Sequence, residues 1–275
     1  MSDKPIIVSR GEFSLKRSDF DSQEEYYWNY QYTLAQGYYI PLLRENNVWI
    51  KAKKVLDIGC GLGGFTAAFA DEGAAKSVGI EICSQARIPN VGSRPNLNYM
   101  IQDITTPDAA ELIGTNYDLI VLHDVIEHIP LNKKDNFLGA LKQFCGNNTL
   151  ILVAFPPIYS PFGLHQQAIL KSIFRFVPFL SLMPLFFLKP ILNIWGEDAS
   201  ARFKLKEIKD SRMTIRAFKR SLNRLGFSIE FEQYYLVRPT HELRYGWRTR
   251  ISKIREIPIA NEIFNSGALY LVKPA

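Results

Sequence analysis

Cysteine is scarce in this chain, three residues in 275. Cys60, Cys83 and Cys145 cannot all pair, and none shows the spacing of a zinc site. Cys60 stands inside a glycine-rich turn, where a crosslink would be disruptive. These features exclude a disulfide framework and indicate reduced thiols in a cytoplasmic protein. Histidine numbers only four, and neither these nor the acids fall at ligand spacing, so no metal centre is expected. Membrane-spanning length is missing too. The apolar run Phe176 to Leu188 holds 13 residues, interrupted by Pro178 and Pro184, too short to cross a bilayer. The opening MSDKPIIVSRGEF carries charges throughout and no apolar core of signal-peptide length.

What is present describes a globular protein with a substantial core: 47% hydrophobic and 22% charged residues. The length suits one large domain, or one domain with a lid. The net charge of +6 is regional. Residues 202–224 hold nine Lys/Arg against two Asp/Glu, a local +7, so the remainder is close to neutral. Such a patch suits an acidic substrate, a lipid headgroup or nucleic acid, or is simply a solvated helix face.

The most informative stretch is VLDIGCGLGGFT, Val55 to Thr66. An apolar run with one acid, Asp57, breaks into Gly59, Gly61, Gly63 and Gly64, and a helical pattern follows. This spacing predicts a buried strand, a tight turn and a helix start with free N–H groups. Gly59-x-Gly61-x-x-Gly64 also satisfies a dinucleotide fingerprint, with Glu81 as ribose acid. Asp57 opposes that reading: a carboxylate beside the turn repels a pyrophosphate and attracts a cation. DIGCGLGG, followed by the acid-ended strand SVGIE (Ser77 to Glu81), resembles the first motif of class I S-adenosylmethionine-dependent methyltransferases.

The resemblance implies a doubly wound α/β sheet of seven mostly parallel strands, the Rossmann-like methyltransferase fold, with S-adenosyl-L-methionine as cofactor. It implies cofactor-binding roles for Asp57, Gly59, Cys60, Gly61 and Gly63. Glu81 would accept the ribose hydroxyls, and Ile82 would lie against the adenine. Asp103 and Ile104, after the short strand Leu97 to Ile101, match the family's adenine site. YDLIVL (Tyr117 to Leu122), followed by HDVIEHIP, resembles a fourth motif with Glu-His, found in small-molecule methyltransferases. His123 would meet the methionine part of the cofactor. Glu127 and His128 either face the reacting atom or anchor the loop.

Around this core, the chain divides into four expected parts. Residues 1–48 form an N-terminal helical cap, whose Tyr26 and Tyr30 either border the substrate or pack on the sheet. Residues 49–155 form the cofactor-binding core. Residues 156–213 form an inserted hydrophobic and basic lid, which leaves the carboxyl end of the fifth strand beside the reaction centre. Its stiff proline-rich start carries Tyr159 and His165. His165 is the first candidate for a general base, with a loop histidine of no role as the alternative. Residues 169–195 read as an apolar lid, a membrane-interface segment, a subunit interface or a buried hairpin. Residues 214–275 supply the closing helix and strands, with Trp247 at the substrate mouth.

The expected activity is methyl transfer to oxygen on a small, partly apolar or lipid-linked acceptor. The competing readings are an RNA or other nucleic-acid methyltransferase and a non-catalytic cofactor-binding assembly protein. A nicotinamide oxidoreductase is disfavoured by Asp57. Nucleic acid is disfavoured as partner because the fourth motif lacks the Asn/Asp-Pro-Pro-aromatic pattern of base methyltransferases. Oligomeric state is open.

Overall fold

The computed structural model describes residues 15–83, 94–255 and 257–274. Residues 1–14 of the expected N-terminal cap therefore lie outside the described residues. Helix α1 (Gln23–Leu34) begins at Ser22, whose hydroxyl accepts from the Glu25 amide at 3.0 Å. Glu25 returns its carboxylate to the Asp21 amide, one residue before the cap, so the capping box is only approximate. A widened π turn, Ala35–Tyr39, leads into α2 (Ile40–Glu45). It precedes Pro41, whose ring cannot share a regular helical turn with the carbonyl four residues back.

Strands and helices then alternate through the core. β1 (Lys54–Ile58) is followed by α3 (Gly64–Asp71), β2 (Lys76–Glu81) and β3 (Leu97–Ile101). Next come α4 (Ala109–Ile113), β4 (Tyr117–His123), α5 (Lys134–Ala140) and β5 (Cys145–Phe155). The insertion carries α6 (Gln166–Ile169), α7 (Leu185–Ile194) and α8 (Ala199–Ser211). The closing part adds α9 (Ile215–Arg224), β6 (Phe227–Val237), α10 (Pro239–Tyr245), β7 (Arg250–Ile251), α11 (Pro258–Phe264) and β8 (Gly267–Pro274).

The sheet order is β3-β2-β1-β4-β5-β8-β6-β7. Pairings among β1 to β5 are parallel, and β8 runs antiparallel to both β5 and β6. The seven expected strands are all present. The eighth is the two-residue β7, which adds to the edge of β6 and is too short to leave a periodic signal.

Each sheet face carries its own core. On one face Trp28, Leu34, Ile40, Phe65 and Phe69 pack over Val55, Leu119, Val121 and Leu152. On the other, Ile113, Leu138, Phe218 and Leu222 pack over Leu56, Ile120, Leu122 and Val153. Alternating strand residues feed the two layers, as a sheet covered on both sides requires. Between β4 and β5 the chain is helical in three short pieces: α5 between the 3₁₀ turns Leu131–Lys133 and Leu141–Phe144.

The insertion has a small core of its own. Leu164, Leu180, Leu188, Leu192, Leu205 and Ile208 pack together, whereas Phe176, Phe186, Phe187, Ile194, Trp195 and Phe203 are exposed. Among the described residues no helix is long and apolar enough to cross a membrane.

Candidate active site

The carboxyl end of β1 turns sharply into α3. Gly59 (φ +72°) and Gly63 (φ +85°) adopt the left-handed region, and both are tightly approached. A Cβ on Gly59 would lie 2.5 Å from Val125 Cγ2, and one on Gly63 would lie 2.4 Å from the Tyr99 ring. The expectation of free amides here is corrected. The Gly59 and Cys60 amides donate to the Ile80 carbonyl at 2.7 and 3.0 Å, and the Gly63 amide donates to the Cys60 carbonyl at 2.9 Å. Gly61 N–H donates to Glu81 Oε2 at 2.9 Å, and Gly64 N–H donates to Gln31 Oε1 at 3.3 Å. These five amides are satisfied within the protein and two acids flank the turn, which disfavours a pyrophosphate.

Asp57 is 2% exposed and points at the helix behind the turn, where Thr66 Oγ1 donates to its Oδ2 at 2.6 Å. Burial, reinforced by Glu81, pushes its carboxyl up to about 7, although the Thr66 hydroxyl favours the ionised form. Asp57 is thus part of the support of the turn and is not among the residues lining the adjacent cleft.

That cleft, about 430 Å³, opens beside the carboxyl ends of β1, β2 and β4, the usual ligand position in a doubly wound sheet. Gly59, Glu81, Ile82, Asp103 and Ile104 line it, together with Asp124, Val125 and His128. Glu81 Oε1 accepts from the amides of Ile82 and Cys83 at 2.8 and 3.1 Å, which fixes its carboxylate at the rim. Asp103 Oδ1 accepts from the Thr105 amide and hydroxyl at 2.8 and 2.7 Å. Carboxylates paired with branched aliphatic walls match an adenosine, whose ribose hydroxyls and exocyclic amine are donors and whose ring is apolar. The residues therefore fit the adenosine half of S-adenosylmethionine. Glu207 of α8 also reaches this cleft, so the insertion borders it.

At the end of β4 the chain kinks through Asp124, a non-glycine residue at φ +54°. Its amide donates to the Ala154 carbonyl at 2.9 Å, and its carboxylate receives both terminal guanidinium nitrogens of Arg238. Burial pushes this acid upward, but Arg238, His123 and His165 outweigh it and hold it well below the usual carboxylate range. His123 itself is enclosed by aromatic rings, stacked on Phe65 at 4.7 Å and edge-on to Tyr39 at 5.1 Å. Burial lowers its imidazole to about 4.

Glu127 is 1% exposed, and its Oε1 lies 3.0 Å from His165 Nε2. Although the contact has ion-pair geometry, burial drives both groups neutral. Burial and then Asp124 push Glu127 up to about 8, and burial, with Arg238 and Arg244, draws His165 down to about 4. Glu127 thus carries the shared proton. Its other oxygen, Oε2, is buried without a hydrogen-bond partner. Lys134 Nζ secures this loop by donating to the Ile126 and Ile129 carbonyls at 2.9 and 2.7 Å.

His128 completes a cluster: one ligand atom each from Glu127, His128 and His165 lie within 4.8 Å of one another. The expectation of no metal centre rests on linear spacing alone. His165 comes from a distant segment, so linear spacing does not reveal it.

Of the expected substrate residues, Tyr26, Tyr30 and Trp247 lie around Arg244 and Tyr245, and Tyr159 lies apart. Tyr30 is buried, with the Arg244 guanidinium 4.3 Å above its ring. Trp247 lies near Phe162, with ring centroids 6.1 Å apart, and Tyr26 packs edge-on against Phe20. Tyr159 instead lines a cavity with Leu182 and Lys209 on the far side of the insertion. Sequence reasoning missed Gln31, Asp124 and Arg238. Asp124 was within reach, since it lies between two residues singled out in the same motif.

A model of the family described as "Methyltransferase domain" matches residues 35–230. Two curated relatives are ubiquinone biosynthesis O-methyltransferases. That of Erwinia tasmaniensis is 30% identical over 45% of this chain and 51% of its own. That of Vibrio campbellii is 34% identical over 40% of this chain and 50% of its own. The chain thus spans about half the length of the curated relatives it matches. The magnesium protoporphyrin IX methyltransferase of Synechocystis, solved with bound SAH, superposes with a TM-score of 0.52. It is 15% identical, over 96% of this chain and 90% of its own, a likeness of fold alone. With the family model spanning most of the chain and the sheet order and adenosine-matched cleft in agreement, the chain belongs to the class I S-adenosylmethionine-dependent methyltransferases.

Proposed function

We propose that the protein methylates an oxygen of a small, partly apolar or lipid-linked acceptor. One observation carries this reading. The Glu127–His165 pair joins residues of two sites: His128, next to Glu127 in the chain, lines the cofactor cleft, and His165 lines a second, aromatic-walled cavity. A donor on one side and an acceptor on the other would meet there. The relatives named as O-methyltransferases support oxygen as the target.

Glu81 would hold the ribose, Asp103 with Ile104 the adenine, and the turn at Gly59, Cys60, Gly61 and Gly63 the remainder of the cofactor. Asp57 would act behind that turn through its bond to Thr66. When bound, S-adenosylmethionine supplies a methyl group on a cationic sulfur, already electrophilic. The chain's task is alignment and proton management. His165 is the proposed base, with Glu127 as its proton-sharing partner and His128 bordering the cofactor. At neutral pH the pair already holds its shared proton, so it accepts an acceptor proton only after losing its own.

We assign residues 1–48 to a cap, 49–155 and 214–275 to the core, and 156–213 to a lid. The protein is proposed to be cytoplasmic, with peripheral contact to an anionic bilayer through residues 169–195. The exposed rings of Phe186 and Phe187, 4.2 Å apart, favour such contact. So do Lys189, Arg202 and Lys206 around the cleft between α7 and α8, whose charge complements anionic headgroups. Nucleic-acid methylation and a non-catalytic role are the competing readings.

The test is to incubate the protein with isotopically labelled S-adenosylmethionine and cell extracts fractionated into metabolites, lipids and RNA. A labelled methyl ether or ester in the first two fractions is expected. Label confined to RNA, or no label in any fraction, would overturn the proposal.

A further inference from the structure

The cavity on the far side of the Glu127–His165 pair is small, about 30 Å³, room for one or two oxygens rather than a ring. Arg244 lines it. This guanidinium lies over the faces of Tyr30 and Tyr27, at 4.3 and 5.2 Å, and among the described residues no carboxylate pairs with it. Its Nε is buried without a hydrogen-bond partner. Gln167, 6% exposed, lines the same cavity with an equally unpartnered Nε2. Buried donors without acceptors are costly to maintain and are characteristic of sites that receive a ligand. The neighbouring Arg238 is already committed to Asp124. Burial, with Arg238 and Arg244, lowers His241 to about 3, so this imidazole adds no charge of its own. Arg244 therefore leaves an uncompensated positive charge at the cavity wall.

The mouth is aromatic. Trp247, 44% exposed, has its ring centroid 5.4 Å from Tyr245, 5.8 Å from His241 and 6.1 Å from Phe162. An aromatic ring stacked there would point a substituent inward.

We propose that Arg244 and Gln167 recognise an oxyanion, a carboxylate or an ionised phenolic oxygen, carried on an aromatic ring of the methyl acceptor. This deepens the O-methyltransferase reading and rests on it for the identity of the ligand as acceptor. Guanidinium and amide donors suit a planar or single oxyanion, and the enclosed site strengthens the charge-assisted bonds.

The test uses the full chain at pH 8 with three probes, benzoate, 4-nitrophenolate and neutral benzamide, in titration calorimetry. At least one anion is expected to bind tenfold or more tightly than benzamide. Preference for benzoate identifies a carboxylate, and preference for 4-nitrophenolate a phenolate. Arg244→Met should abolish the preference, Gln167→Leu should reduce it severalfold, and Arg244→Lys should restore part of it, with melting curves reporting the fold. Equal binding of all three probes overturns the proposal, as does an undiminished preference in folded Arg244→Met. Because Arg244 also supports Tyr27 and Tyr30, Gln167→Leu decides the matter if that variant does not fold. S-adenosylmethionine is titrated separately. Its failure to bind would strike the methyl-transfer reading while leaving the anion preference intact, and the reverse result would strike only the oxyanion site.

Discussion

Glu127 Oε1 and His165 Nε2 meet at 3.0 Å, although 38 residues separate them in the chain. The carboxyl arrives from the loop after β4 and the imidazole from the insertion after β5. Neither element contains the pair by itself, and burial keeps both partners neutral.

That neutrality makes stability depend on pH in a defined direction. Glu127 titrates near 8 in the fold and near 4.3 when free. Between these values the folded protein holds a proton that the unfolded chain has lost, so stability falls as pH rises across that window. His165 acts oppositely: its folded value, about 4, lies below the free value, so stability is lost as pH drops from about 6.5 towards 4. Glu127→Gln should flatten the alkaline loss, gaining on the order of 1–3 kcal/mol relative to wild type at pH 8. Chemical denaturation at pH 5.5 and 8 measures this, and parallel curves for the two proteins would contradict it. Turnover of the wild type should rise towards pH 8 as the pair gives up its proton, and His165→Ala should lose that rise.

Glu81 and Asp57 should separate in cofactor binding. Glu81 lines the cleft and Asp57 does not. Glu81→Gln is expected to weaken S-adenosylmethionine by ~1.5–3 kcal/mol, the worth of hydrogen bonds to a charged group. Asp57→Asn should cost less than about 1 kcal/mol, since the near-neutral carboxyl already resembles an amide and keeps a partner in Thr66. Calorimetry showing the two variants equally impaired would put Asp57 back in contact with the ligand.

In the Arg238–Asp124 pair the guanidinium is buried and the carboxylate half-buried, so removing the arginine strands the acid at the cleft wall. Arg238→Met should destabilise the fold by ~3–5 kcal/mol, and adding Asp124→Leu should recover much of that loss. Urea unfolding of the single and double variants provides the comparison. A single variant as stable as wild type would mean that water relieves the stranded carboxylate.

Membrane contact predicts a separable surface. Phe186→Ser with Phe187→Ser should reduce flotation with phosphatidylglycerol vesicles severalfold while leaving S-adenosylmethionine binding unchanged. Vesicles of phosphatidylcholine alone should recruit even the wild type poorly, because the basic residues near the apolar rings have no anionic partner there. Unaltered flotation of the double variant would dismiss this surface as the contact.

Local features of the sequence translated directly into structure. The strand-turn-helix at Val55 to Thr66 and the acid-ended β2 depend on neighbours within a few residues, so composition and spacing suffice to read them. The site itself depends on long closures. Asp124 finds Arg238 across 114 residues, and Gln31 Nε2 donates to the Cys60 carbonyl at 3.1 Å from an earlier helix. No periodicity records such pairings. The insertion was the least legible. Its apolar run divides between an internal core, with Leu180 and Leu188, and exposed rings, with Phe176 and Phe187. Hydrophobicity alone cannot say which residues face inward when prolines interrupt the repeat.

The position of β8 has a consequence for biosynthesis. It lies between β5 and β6 and is paired to both, yet it follows them in the chain. On the ribosome, the edge of residues 227–237 that pairs with β8 must wait until residues 267–274 emerge from the exit tunnel. During that interval β5 presents an open edge, a template on which other polypeptides can pair.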